Sequence, residues 1–153
     1  MNIRLLLLPL LLLSLAGCKD KSMSETDGRV VRPLETDAER IRSAMSGGFK
    51  PLEATVNAQG QLVLTVETRW DCPNGQPAFT LLWDGRVRKS LPPIATLRLV
   101  HDTDDPCTGE QRAGELYFDL SPLDKHRSGG NPVIVRLQDF NANLAYPRRG
   151  DGE

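Results

Sequence analysis

The sequence predicts a mainly β domain, with two antiparallel sheets packed face to face as a sandwich. Three observations carry that expectation. From Lys50 onward, apolar residues recur at every second position, the period of a strand with one buried face. Polar joints bearing glycine or proline break the chain at short intervals. The composition, 39% hydrophobic and 25% charged, is that of an ordinary globular protein.

The elements follow in order. Thr36 and Glu39 stand at capping-box spacing, Asp37 lies in the first turn, and Ala38, Ile41 and Met45 share one stripe before Gly47 and Gly48. This predicts a short helix of about nine residues, marginal unless it docks on something. Leu52, Ala54 and Val56 alternate, the polar Asn57–Gly60 turn follows, and Leu62, Leu64, Val66 and Thr68 alternate again, which makes a hairpin. Phe79, Leu81 and Trp83 share a face, Asp84-Gly85 offers a tight turn, and Pro92-Pro93 stops any strand. Three further strands align Ala95, Leu97 and Leu99, then Leu116, Phe118 and Leu120, then Val133, Val135 and Leu137. Six or seven such strands suit a sandwich, immunoglobulin-like in broad plan, with one short N-terminal helix. An α+β sheet with the Thr36–Met45 helix on one face is the alternative.

The first twenty residues have a different character. Met1–Arg4 is a short positive start, Leu5–Leu13 is apolar apart from Pro9, and small residues follow at Ala16 and Gly17. This is the pattern of a secretory signal, and the apolar run is too short to span a bilayer, which takes about 20 residues. Leu15-Ala16-Gly17-Cys18 resembles the lipobox of bacterial lipoproteins at all four positions. The resemblance implies that Cys18 carries a diacylglycerol and, on its new amine, an acyl chain. It also implies removal of residues 1–17. Several acyl chains together supply the durable anchoring that one chain cannot. The inner-membrane retention aspartate is absent and Lys19 stands in its place, which favours the periplasmic face of the outer membrane in a Gram-negative cell.

The expected organisation is therefore a signal peptide over 1–17, a lipidated tether over 18–33, a single domain over 34–146 and a tail over 147–153. The mature chain of 136 residues carries 18 basic and 20 acidic groups, a balance of −2. No basic surplus is present to bind nucleic acid. With Cys18 given to lipid, Cys72 and Cys107 remain, and in an oxidising compartment their simplest use is one disulfide. It closes a loop of about 36 residues, which constrains the unfolded chain by roughly 3–4 kcal/mol in the entropy model.

Residues that could carry chemistry are few. Asp102, Asp104 and Asp105, with Glu110, could offer oxygens to Ca²⁺. Their spacing departs from an EF-hand, because the third acid comes one residue early and Gly109 falls late, so a solvated acidic turn is favoured. His101 and His126 would have to meet a carboxylate to hold zinc. No G-x-S-x-G elbow or phosphate-binding glycine loop is present. No catalytic residue, metal or cofactor other than the covalent lipid is expected. The expected role is a non-catalytic accessory or protein-binding lipoprotein of the envelope. The alternative is an inhibitor or immunity lipoprotein that blocks an envelope-acting hydrolase. Asp104 and Asp105 on a loop tied down by Cys107, and Tyr117 and Arg136 on strand faces, are the candidate partner contacts.

Overall fold

The structure, a computed structural model, describes residues 29–44, 47–101, 104, 107–127 and 131–146. The expected signal peptide, Cys18, most of the expected tether, Asp102, Asp105 and the expected tail lie outside the described residues. Eight strands form: β1 Val31–Thr36, β2 Lys50–Val56, β3 Gln61–Asp71, β4 Phe79–Arg88, β5 Ile94–His101, β6 Thr108–Asp119, β7 Val133–Leu137 and β8 Ala142–Tyr146. A four-residue helix α1, Arg40–Ser43, follows β1, and a 3-10 helix, Ser121–His126, follows β6.

The mainly β reading holds, but the two-sheet sandwich does not. All eight strands belong to one sheet in the order β2-β3-β6-β1-β4-β5-β7-β8, and its two edge strands approach each other to leave a nearly closed barrel. The strand that decides this is β1. Val31, Arg32 and Pro33 pair in parallel with Tyr117, Phe118 and Asp119 of β6. Leu34, Glu35 and Thr36 pair in parallel with Leu81, Leu82 and Trp83 of β4. Without β1 the chain would fall into two sheets, β2-β3-β6 and β4-β5-β7-β8. Residues 31–33, expected as the end of the tether, are therefore part of the seam that joins them. Pro33 sits where β1 changes partner, a place where a missing backbone donor is tolerated. A third parallel pair, β5 with β7, also departs from the all-antiparallel expectation.

The alternation itself places side chains as expected. Leu62, Leu64 and Val66 of β3, Leu81 and Trp83 of β4, Leu97 and Leu99 of β5, and Leu116 and Phe118 of β6 line the interior and are at most 1% exposed. Sandwich and barrel share this pattern because each asks a strand for one inward face. Leu52 departs from it and is 44% exposed, because the β2–β3 register shifts between Pro51 and Glu53. Asp84-Gly85 makes no hairpin turn. It is an irregularity inside β4, where the pairing with β5 shifts between Trp83 and Val87. There Gly85 has φ 77°, and the Trp83 indole N–H donates to the Arg86 carbonyl at 2.9 Å.

The helix is shorter than expected because Thr36 is committed to β1 opposite Trp83. Asp37 Oδ1 instead accepts the amides of Glu39 and Arg40, at 3.0 and 2.8 Å. Ala44 is extended and ends the turn. The helix covers the outer face of β4, where Leu82 is fully buried, and the Arg98 guanidinium donates to the Ile41 carbonyl at 3.3 Å.

Candidate partner-binding site

The barrel has two different ends. One is plugged by the 3-10 helix Ser121–His126, which buries Leu123. Asp124 accepts from the Tyr146 hydroxyl at 2.9 Å and from the Arg127 guanidinium at 2.6 Å, and that guanidinium lies 4.1 Å from the Tyr146 ring centre. Burial, reinforced by the Asp124 carboxylate, pushes the Tyr146 phenol up to about 12. His126 meets Trp83 edge-on at 5.4 Å. This is a structural stopper in which Asp124 holds Tyr146 and Arg127, while His126 Nε2 and Arg127 Nε are buried with no hydrogen-bond partner among the described residues.

The other end carries the packed rings of Phe49, Phe79 and His101, and two strands run past it. The last β2–β3 pair on this side is Lys50↔Glu67, and the first β1–β6 pair is Val31↔Tyr117. Beyond those pairs β3 and β6 continue alone as a two-stranded ribbon, with Thr68↔Arg112, Arg69↔Gln111 and Asp71↔Thr108 in register. Its tip is closed by the disulfide between Cys72 and Cys107, whose Cα atoms are 4.1 Å apart. The expected pairing is therefore present. It joins two strands that no hairpin turn connects, and it holds together a ribbon that would otherwise be a frayed end.

Local contacts hold the ribbon together. The Trp70 indole lies over Gly114, in the space a Cβ there would need, and donates to the Arg112 carbonyl at 2.8 Å. Gly109, at φ 84°, sits against the Asp71 carboxylate where the register shifts between Arg69 and Asp71. Asp71 in turn lies 3.7 Å from the Arg112 guanidinium. The loop from Cys72 back to β4 is held a second time by Arg32, which donates to Gln76 Oε1 at 2.8 Å and to the Pro77 carbonyl at 3.3 Å. Burial lowers the Arg32 pKa from its ordinary value. At the base of the ribbon, Phe79 meets Phe49 edge-on at 5.3 Å and stacks with His101 at 4.5 Å. Residues Thr108–Ala113 are all exposed.

The candidate residues are thus sorted by the fold. Asp104 is exposed on the loop between His101 and Cys107, and Glu110 is exposed on the ribbon. Both belong to the ribbon end. No group of three metal-ligating side chains occurs among the described residues. The two histidines are not brought together. His101 stacks on Phe79 and His126 lies against Trp83, four residues further along β4, a strand rise of about 13 Å. Tyr117 and Arg136 do not form one surface, since three strands separate β6 from β7 in the sheet. Tyr117 is 8% exposed, hydrogen-bonded to Glu115 and overlain by Arg29, whereas Arg136 is exposed and donates to Asn143 at 3.1 Å. Tyr117 is therefore poorly placed as a contact anchor. Sequence reasoning missed Trp70 and Arg112. No local signal marks them, because the extension of β3 and β6 appears only in their pairing.

Fold and site together define a small nearly closed β-barrel that extends a disulfide-stapled ribbon. No protein-family model and no curated protein matches this chain. Solved structures share its fold. A protein of unknown function, DUF1344, from Bacteroides vulgatus superposes with a TM-score of 0.50 at 14% identity, over 80% of this chain and 59% of that one. A candidate lipoprotein from Bacteroides fragilis gives 0.51 at 11% identity, over 76% and 69%. A NigD-like immunity protein from Bacteroides caccae gives 0.46 at 17% identity, over 70% and 52%. At these identities the likeness to the first two defines the fold alone, and this chain spans only part of each of those proteins.

Proposed function

We propose that this protein is a lipid-anchored, non-catalytic binding module of the cell envelope, and that its working surface is the β3–β6 ribbon with the loops joined by Cys72–Cys107. The observation that carries the reading is the stapled ribbon itself. Two strands extend beyond their sheet and are fixed at the tip by a covalent bond, so a partner meets a surface already ordered. Pre-organisation of this kind lowers the entropy lost on binding. The ribbon offers exposed side chains of both signs, Arg69 and Arg112 beside Asp71 and Glu110. The β6 edge from Thr108 to Gly114 also runs ahead of the first β1 pair, which suits addition of a partner strand. The lipid anchor rests on Leu15–Cys18 alone.

One observation favours a second reading, the inhibitor. A narrow ribbon with exposed Asp104 on the loop leading to its staple has the shape of a probe that enters a cleft. Affinity capture from cell envelopes with the tagged, oxidised mature chain tests both readings. A single stoichiometric hydrolase, lost on Asp104→Asn with Asp105→Asn, supports the inhibitor. Envelope machinery that survives this change and is lost on Arg69→Glu with Arg112→Glu supports the accessory module. Nothing above background would overturn both.

A further inference from the structure

The β4–β5 connection, Lys89–Pro93, lies at the barrel end opposite the ribbon. Arg86, Arg88 and Lys89 are all exposed on this hairpin and form no ion pair among the described residues. Leu91, at its tip, is 82% exposed, against 43% and 44% for the other exposed large apolar side chains among the described residues, Val30 and Leu52. No acidic residue occurs between Gly85 and His101. The chain as a whole is slightly acidic, so this is a local concentration of charge.

The tip is also rigid. The Ser90 amide donates to the Arg88 carbonyl at 2.9 Å, and its hydroxyl donates to the Pro92 carbonyl at 2.7 Å. The Ile134 amide donates to the Pro93 carbonyl at 2.8 Å, which ties the hairpin to β7. The tip thus presents one outward apolar side chain next in the chain to three exposed cations, Arg86, Arg88 and Lys89. It is matched by a surface that presents anionic headgroups over hydrocarbon.

We infer that the Arg86–Leu91 hairpin tip is a membrane-contact site, with Leu91 entering the interface of an anionic phospholipid bilayer and Arg86, Arg88 and Lys89 facing its headgroups. With this end down, the ribbon points away from the bilayer, toward a partner. Chain length permits the arrangement. Val31 lies about 40 Å of strand from the tip. The thirteen residues from Cys18 to Val30, fully extended, reach about 43–47 Å. The inference extends the lipoprotein reading but does not depend on it, because the hairpin should bind without the lipid.

The test is co-sedimentation of the mature chain carrying Cys18→Ser, so that no lipid is attached, with vesicles of phosphatidylcholine alone or with about a third phosphatidylglycerol. Binding is expected to the anionic vesicles only and to weaken as salt rises. A variant combining Arg86→Gln, Arg88→Gln and Lys89→Gln should bind about tenfold or more weakly, since each cation near such a surface contributes several-fold. Leu91→Ser, at an exposed site that leaves the fold intact, should lose several-fold. Arg69→Gln with Arg112→Gln, at the ribbon, should bind like the parent. Failure of the parent to bind anionic vesicles would overturn the site, as would undiminished binding by the hairpin variants. Binding to peptidoglycan sacculi with none to vesicles would overturn it in favour of a cell-wall ligand. A failed hairpin with an intact ribbon capture leaves the proposed function standing, so the two fail separately.

Discussion

The indole N–H of Trp70 donates to the carbonyl of Arg112 across two strands 42 residues apart in the chain. That bond, with the ring laid over Gly114, marks the point where the sheet stops being a barrel and becomes a ribbon. Gly114→Ala should therefore displace Trp70. The expected cost is about 1–3 kcal/mol, as for other forced insertions into packed sites. Trp70 emission should shift to the red in a Trp83→Phe background. Unchanged emission with an unchanged melting temperature would refute this packing.

The disulfide joins strand ends that no turn connects, so its loss should be felt unevenly. Cys72→Ala with Cys107→Ala should lower stability by roughly 3–4 kcal/mol in the entropy model. Hydrogen exchange should speed most for amides of Thr108–Ala113, while Leu116 and Phe118, inside the barrel, stay protected. Uniform loss of protection along β6 would show that the staple supports the whole barrel rather than its extension.

Residues 31–33 provide a direct test of β1 as the seam. A chain beginning at residue 29 should melt within a few degrees of one beginning at residue 18. One beginning at residue 34 loses the pairing with Tyr117, Phe118 and Asp119 and should show no cooperative transition. Circular dichroism melts of the two decide the matter. Equal stability would restore these residues to the tether.

Tyr146 predicts an alkaline limit. Its phenol is held neutral by burial and by Asp124, so its folded pKa of about 12 lies above the ordinary 10.0. A raised pKa means that the folded state binds the proton more tightly than the unfolded state. The stabilisation is thus complete below pH 10 and is lost as pH rises from about 10 to 12. Denaturant midpoints across that window should fall in the parent and fall less in Tyr146→Phe. At neutral pH the variant should be about 1 kcal/mol less stable, the ordinary net contribution of the bond to Asp124. An equally steep alkaline loss in the variant would assign the effect to other groups.

Leu97→Ala tests the interior. Leu97 is fully buried between Trp83 of β4 and Leu137 of β7, its pairing partners, and truncation should cost about 2–5 kcal/mol. Chemical denaturation measures it directly, and a cost below about 1 kcal/mol would mean the barrel interior is not packed as described.

The sequence by itself determined which residues face inward. Leu62–Val66, Phe79–Trp83, Ala95–Leu99, Leu116–Leu120 and Val133–Leu137 alternate, and strand geometry turns alternation into one buried face whatever the neighbours are. The disulfide was legible too, by count, once Cys18 was set aside for lipid. Tertiary structure alone decided how the strands are joined. Residues 29–33 carry no periodic signal, and β1 is defined by the backbone groups that β6 and β4 offer it, a long-range property with no local trace. The same holds for the site. Trp70 and Cys72 look like the end of a strand, and only the pairing of β3 with β6 shows that this end projects past the barrel. Burial patterns are written in the period of one strand, whereas closure and projection depend on register between strands far apart in the chain.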